Sequence, residues 1–178
     1  RGYLIALSLP ENVSFDWLKN FAEGLAADQI VFNVVLLGGD TTSTPGPLTL
    51  SLTAIGEVPT GQAIRRSDVA LGDDIYVTGT IGDAGLALRV INEMGRKSAL
   101  QNYPKLLERY ILPQPRVALG PLLINIATSC IDISDGLCAD LNQICAASHV
   151  GAEIKQTAIP LSSTAKSLVK NNKLYWQF

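Results

Sequence analysis

The sequence predicts a mixed α/β protein whose chain divides into two domains near residue 60. Its 178 residues are 47% hydrophobic and 17% charged, and a chain of this size can bury about 70% of its unfolded surface. Short apolar runs typical of strands alternate with stretches of helical periodicity. A polar, glycine-containing stretch at residues 59–74 separates a domain at 1–60 from a domain at 61–178.

The first domain is expected to begin with a strand at residues 3–9, followed by a helix. Ser14 is a good N-cap residue for that helix, because its hydroxyl can accept a bond from a free backbone N–H group. Trp17, Phe21 and Leu25 follow at intervals of four, which places them on one helix face.

Two further strands are expected in the first domain. Residues 30–37 form a continuous apolar run, which predicts a strand buried on both faces and ending at Gly38-Gly39-Asp40. Residues 48–58 alternate between apolar and polar side chains, which predicts a long strand with one buried face.

The second domain combines short strands with helices. Strands are expected at residues 75–78, 131–134 and 152–159. Helices are expected at residues 86–93, 105–110, 116–127, 137–147 and 163–169.

Charge and hydropathy exclude two classes of protein. The net charge is −2 and the isoelectric point is near 5.3, and no basic stripe suited to nucleic acid is visible. No apolar run approaches the length of a membrane span. We therefore expect a folded cytoplasmic protein that binds neither nucleic acid nor membrane.

The three cysteines lack the spacing of a metal site. Cys138 and Cys145 are seven residues apart, which places them on one helix face, where free thiols commonly act as small core residues. Unpaired cysteines also indicate a reducing compartment.

Two segments combine aspartate with glycine after an apolar run, at Gly38-Gly39-Asp40 and at Asp132 to Gly136. Glycine allows backbone N–H groups to approach an anion closely. Aspartate is a hard oxygen ligand suited to Mg²⁺, which binds a few carboxylates together with substrate phosphates. The pair favours metal-assisted phosphoryl transfer, whereas each segment alone could be an ordinary turn, with Asp135 as a helix N-cap.

Other catalytic patterns fit poorly. The chain has no P-loop, and residues 79–85 spell G-x-x-G-x-x-G, which differs from the dinucleotide fingerprint. Ser134 occupies the position where a haloacid-dehalogenase phosphatase carries its second aspartate. His149, the sole histidine, follows a predicted helix and is expected to cap its C-terminus. Arg65-Arg66 could be solvated or could clamp a phosphate.

Four motifs occur in one order along the chain. They are LLGGDTT at residues 36–42, LTLSLTAIGEVP at 48–59, DDIYVTG at 73–79 and DISDGL at 132–137. Together they resemble the thiamine-monophosphate kinase family of the aminoimidazole-ribonucleotide-synthetase-like (PurM-like) superfamily, over essentially the whole chain.

This resemblance implies ATP-dependent phosphorylation of thiamine phosphate to thiamine diphosphate by direct, in-line, Mg²⁺-assisted transfer. It also implies a two-domain PurM-like fold, a homodimer formed through the N-terminal domain, and no covalent nucleophile. The open alternatives are a related ATP-using enzyme, similar to selenophosphate or aminoimidazole-ribonucleotide synthetase, and a non-catalytic nucleotide- or metal-binding fragment.

The resemblance also assigns roles to individual residues. It implies Mg²⁺ binding by three carboxylates, those of Asp40, Asp132 and Asp135. It implies ATP binding by Gly39, Asp40, Arg66 and Ser134.

Several family motifs have no counterpart in the sequence. The Gly-Asp-Asp, Ser-Thr-Asp and Asn-x-Ser-Asp motifs, which supply most metal ligands, are missing, and so is the C-terminal segment near the thiamine. Asp73-Asp74 follows Gly72 but lies at the start of the second domain, so it is not that Gly-Asp-Asp motif. We therefore expect the chain to be the middle part of the enzyme, with an incomplete first domain whose exposed apolar edge recruits partners. We also expect the chain alone to have little kinase activity.

Overall fold

The protein is described by a computed structural model over residues 1–172, and its backbone forms two compact units. The first unit ends at Gln62 and the second begins at Ala63. No helix within residues 1–172 combines the length and the apolar character needed to cross a membrane.

The first unit is built on a three-stranded sheet. Its strands are β1 (Gly2–Leu9), β2 (Val35–Ser43) and β3 (Thr49–Ile55), and β1 lies in the centre. β1 is parallel to β2 and antiparallel to β3. Helix α1 (Phe15–Phe32) connects the two parallel strands, as a parallel pair requires a crossover connection.

The sequence signals for α1 are confirmed. The Ser14 hydroxyl accepts a hydrogen bond from the backbone N–H of Trp17 at 3.1 Å. The rings of Trp17 and Phe21 stack with their centroids 5.1 Å apart. The helix ends at Asn33, whose left-handed backbone (φ 51°) stops further helical turns.

The prediction of a doubly buried strand at residues 30–37 is wrong. Residues 30–32 form the last turn of α1, and β2 continues through Gly38-Gly39-Asp40 as far as Ser43. Val35, Leu36 and Leu37 are exposed. The apolar run contains a helix end followed by a strand start, and apolar character alone cannot separate the two.

Position 39 of β2 has room only for glycine, because β1 lies too close for a side chain. Gly39 pairs with Ile5, and a Cβ atom at Gly39 would overlap the Ile5 carbonyl oxygen and lie 2.8 Å from its carbonyl carbon. The glycine therefore allows the strand to continue where the sequence predicts its end.

The second unit is mainly helical in its described part. Its helices are α2 (Asp83–Met94), α3 (Arg96–Asn102), α4 (Pro104–Ile111), α5 (Leu137–Ser148) and α6 (Ser163–Asn171). The core comes from apolar side chains of α2, α3, α4 and α6: Leu86, Ala87, Val90, Ala99, Leu106, Leu107, Ala165, Leu168 and Val169. The helices predicted at 86–93, 105–110, 137–147 and 163–169 are confirmed, and α3 was not predicted.

The strands predicted at 75–78, 131–134 and 152–159 are wrong. Through residue 172, the only β-type pairing in the second unit is an isolated parallel bridge between Arg65 and Ser129. The three predictions failed because a strand needs a hydrogen-bonded neighbour as well as an apolar pattern. The helix predicted at 116–127 is also wrong, since only a short 3-10 turn forms, at Gly120–Leu123. Pro121 lies within that turn and lacks the N–H group that a longer helix would need.

Buried Asp83 connects the glycine-rich turn before α2 to the residue that precedes α6. Its two carboxylate oxygens accept hydrogen bonds from the hydroxyls of Thr80 (2.7 Å) and Ser162 (2.6 Å). Ser162 also caps α6 by accepting the N–H of Ala165 at 3.0 Å. This turn therefore links α2 to α6.

Asp73 holds the beginning of the second unit to a later loop. Its Oδ2 accepts the backbone N–H of Ala70 at 3.0 Å and the hydroxyl of Thr128 at 2.7 Å. The N–H of Ala70 and the hydroxyl of Thr128 favour the charged carboxylate and lower the pKa of Asp73 below its usual range.

The two remaining predictions for α5 have different outcomes. His149 caps the C-terminus of the helix with a left-handed backbone (φ 56°), which confirms its structural role. The prediction of two core cysteines is wrong, because Cys138 is exposed and only Cys145 is half-buried.

We expect Gly39→Ala to weaken the pairing of β1 with β2, because the new methyl group would overlap the Ile5 carbonyl. Overpacking of this kind typically costs about 1–3 kcal/mol. Gly24→Ala is the matched control, since nothing lies within 4 Å of a Cβ there, and an alanine inside a helix should stabilise by about 0.5–1 kcal/mol. Urea denaturation of both variants measures the difference, and equal stability of Gly39→Ala and the unmodified chain would contradict the close approach.

Candidate functional site

The loop at residues 132–136, called the DISDG loop below, is held from within by one buried carboxylate. Asp140 lies in the first turns of α5 and is 5% exposed. Its Oδ2 accepts the N–H groups of Ser134, Asp135 and Gly136 at 2.9, 3.1 and 3.2 Å. Three consecutive residues of the loop therefore turn their backbone N–H groups towards one oxygen atom.

The side chains of the loop remain available to solvent. Asp132, Ser134 and Asp135 are all exposed, although the N–H groups of the last two are bound internally. Gly136 completes the turn with φ 125°, which is strained for any residue with a side chain. Gly136 is also the N-cap position of α5, so the alternative role of Asp135 as an N-cap is wrong.

Asp140 also changes how this loop could bind an anion. Glycine beside aspartate suggested that backbone N–H groups approach a phosphate, but here those of Ser134, Asp135 and Gly136 are occupied by Asp140. Sequence reasoning missed Asp140. The available signal was an acidic residue in the first turns of a helix, a position from which a carboxylate reaches back to free N–H groups.

Arg66 lies on a segment that runs beside the approach to the DISDG loop. The neighbouring Arg65 forms a parallel bridge with Ser129, and its carbonyl oxygen accepts the N–H of Cys130 at 3.2 Å. The Arg66 carbonyl accepts the hydroxyl of Ser148, at the end of α5, at 3.0 Å. The backbone of Arg66 is therefore held close to the segment that leads into Asp132, and its side chain is exposed.

Asp40 lies in the middle of β2, in the first unit. It pairs with Ala6 on β1, its side chain is exposed, and its Oδ1 accepts the N–H of Thr41 at 2.9 Å. Two residues further on, the hydroxyls of Thr42 and Ser8 are 3.2 Å apart. Because residues two apart on a strand share a face, Asp40 and these hydroxyls form a polar surface of the sheet.

The oxygen atoms of the DISDG loop suit Mg²⁺ and would supply part of its ligands. Asp132 and Asp135 present two exposed carboxylates on one short loop, and Mg²⁺ often takes one or two carboxylates and fills its other positions with phosphate oxygens and water. Within residues 1–172, no three His, Cys, Asp or Glu side chains form a group that could hold a metal ion. Metal binding by Asp40, Asp132 and Asp135 stays a prediction, as does nucleotide binding by Gly39, Asp40, Arg66 and Ser134.

Several curated proteins resemble the chain over most of its length. It is 41% identical over 158 residues to the thiamine-monophosphate kinase of Salmonella typhimurium, covering 89% of this chain and 48% of that protein. It is 41% identical over 160 residues to the one of Haemophilus influenzae, covering 90% of this chain and 48% of that protein. The chain thus spans about half the length of these relatives.

Solved structures share the fold. The crystal structure of thiamine-monophosphate kinase from Stenotrophomonas maltophilia K279a superposes with a TM-score of 0.89 at 42% identity, covering 98% of this chain and 55% of that one. The structure of AaThiL complexed with AMPPCP and TMP superposes with a TM-score of 0.84 at 27% identity, covering 97% and 54%. These matches confirm the resemblance that the four ordered motifs indicate.

Two family models match consecutive parts of the chain. Residues 1–58 match the N-terminal domain of AIR synthase related protein, and residues 70–174 match its C-terminal domain. Both matched domains lie in the order that the motifs predict, and the chain belongs to the AIR synthase related protein family.

Proposed function

We propose that the protein carrying this chain transfers a phosphoryl group from ATP to thiamine phosphate, with Mg²⁺, and forms thiamine diphosphate. One observation carries this proposal: the DISDG loop presents two carboxylates and a hydroxyl to solvent in a chain whose 41%-identical relatives are named thiamine-monophosphate kinase. The AaThiL structure in complex with AMPPCP, an ATP analogue, and TMP supports the same pair of substrates.

In this proposal the residues of the chain position the nucleotide and supply no nucleophile. Bound Mg²⁺ would neutralise the charge on the phosphates, which is the largest requirement of phosphoryl transfer. Asp132 and Asp135 would hold Mg²⁺ at the DISDG loop of the second unit, and Asp40 would hold Mg²⁺ at the sheet of the first unit. Ser134 would donate its hydroxyl to a phosphate oxygen, and Arg66 would pair with phosphate through its guanidinium group. Gly39 would allow the nucleotide phosphates to approach β2.

We also propose that the protein is a homodimer formed through the first unit. The sheet exposes apolar side chains on all three strands: Leu4, Val35, Leu36, Leu37, Leu50, Leu52 and Ile55. Exposed apolar surface of this extent is typical of an interaction site. Sedimentation velocity should give the mass of two chains at micromolar concentration, and the mass of a single chain would contradict the dimer.

A cytoplasmic location completes the proposal. All three cysteines, Cys130, Cys138 and Cys145, are free thiols, as expected in a reducing compartment. Cell fractionation that finds the protein outside the cytoplasm would contradict this location.

The direct test of the function is a product assay. With ATP, Mg²⁺ and thiamine phosphate, the protein in the length that its own cell makes should form thiamine diphosphate and ADP in equal amounts. Asp135→Asn should reduce kcat/KM by at least about tenfold. Even the loss of a group that only orients a metal ligand lowers metal affinity or activity by about 10- to 100-fold.

Asp74→Asn is the matched control, since it removes the same charge from an exposed aspartate of the second unit and should leave kcat/KM unchanged. ADP release that depends on another small substrate, with none on thiamine phosphate, would replace this proposal with a related ATP-using enzyme. Mg²⁺-dependent ATP binding without any phosphoryl transfer would indicate a non-catalytic binding protein.

A further inference from the structure

Asp140 and the DISDG loop stabilise each other. A carboxylate that is 5% exposed is costly unless hydrogen bonds replace its lost water. The N–H groups of Ser134, Asp135 and Gly136, at 2.9–3.2 Å, supply those bonds. Hydrogen bonds to a charged acceptor are about twice as strong as neutral ones, so the loop gains a firm anchor from the same contact.

The common acceptor restricts the loop to few backbone conformations. Three successive N–H groups can meet one oxygen only if the chain curves around it, and Gly136 provides the required positive φ of 125°. In that curved conformation Ser134 and Asp135, together with the preceding Asp132, are exposed. The buried side of the loop is therefore backbone, and the exposed side carries the groups that could bind a ligand.

We propose that Asp140 is the positioning residue that holds the DISDG loop so that Asp132 and Asp135 remain available to Mg²⁺. This inference rests on the proposed function only in its identification of the ion. Asp140 acts through the loop and does not touch the ion, because its Oδ2 already accepts three N–H donors and its side chain is buried.

Asp140 also restricts which ligands the DISDG loop can bind. Since Asp140 occupies three N–H groups of the loop, the loop offers no backbone cradle for a free phosphate of the kind found in anion-binding nests. Binding at the loop should therefore depend on the metal, with the phosphates held through Mg²⁺ and the Ser134 hydroxyl.

Two substitutions separate positioning from general stability. Asp140→Ala removes the acceptor, whereas Asp140→Asn keeps an amide oxygen that can accept N–H bonds without a full charge. Glu153→Gln is the matched control, because it removes one charge from an exposed carboxylate of the same unit. Each protein is used in its natural length, and its folded fraction is measured by circular dichroism.

The first readout is the Mg²⁺ concentration for half-maximal ATP binding, normalised to the folded fraction. We expect Asp140→Ala to raise it about 10- to 100-fold, Asp140→Asn to raise it less, and Glu153→Gln to leave it unchanged. A folded Asp140→Ala protein with the Mg²⁺ dependence of the unmodified protein would overturn the proposal. If Asp140→Ala does not fold, Asp140→Asn decides, and an unchanged Mg²⁺ dependence of that variant overturns the proposal equally.

The second readout needs neither ATP nor metal. The amide proton resonances of Ser134, Asp135 and Gly136 should lie downfield in the unmodified protein and move upfield together in Asp140→Ala or Asp140→Asn. If the unmodified protein binds no Mg²⁺–ATP, the proposed function fails, and these resonances still test the loop. Their staying in place in both Asp140 variants would overturn the role of Asp140.

Discussion

One carboxylate oxygen, Oδ2 of Asp140, determines the shape of the loop on which the candidate site depends. It accepts three consecutive backbone N–H groups at 2.9–3.2 Å. A hydrogen bond to a charged group contributes about 1.5–3 kcal/mol net. The three bonds to Asp140 together are therefore comparable in energy with a substantial part of the free energy of unfolding of a small domain. The start of α5, the turn at Gly136 and the exposure of Asp132 and Asp135 all depend on it.

The same contact decides how the loop can meet a phosphate. Glycine-rich loops that bind phosphate directly turn free N–H groups outwards. The DISDG loop turns them inwards and exposes carboxylates instead, which repel a bare phosphate and attract a cation. The exposed groups of the loop therefore suit the Mg²⁺ binding that we propose, whereas the N–H groups that would cradle a free phosphate are occupied by Asp140.

Local signals made part of the structure predictable. Ser14 and His149 cap their helices as expected because a cap depends on a few neighbouring atoms. The predicted α2, α4, α5 and α6 form, three of them with apolar faces that pack in one core. Four ordered motifs were sufficient to indicate the family that the comparisons confirm.

Features that depend on distant partners were not predictable. The strand β2 continues through Gly39 because a glycine fits against the Ile5 carbonyl, and that neighbour is 34 residues away in sequence. The segments at 75–78, 131–134 and 152–159 have strand-like composition but form no ladder in the described chain. Asp140, by contrast, lies only four to six residues from its partners, and it was missed because its position in the first turns of α5 was not recognised as that of an acceptor for the preceding loop.

Hydrogen exchange at the amides of Ser134, Asp135 and Gly136 measures whether Asp140 holds the DISDG loop in its curved conformation. These residues lie in a loop outside the regular hydrogen bonds of a helix or sheet, and their N–H groups donate to the carboxylate of Asp140. We expect slow exchange at all three positions compared with the exposed turn at residues 60–61. Exchange as fast as in that turn would show that Asp140 does not hold the loop.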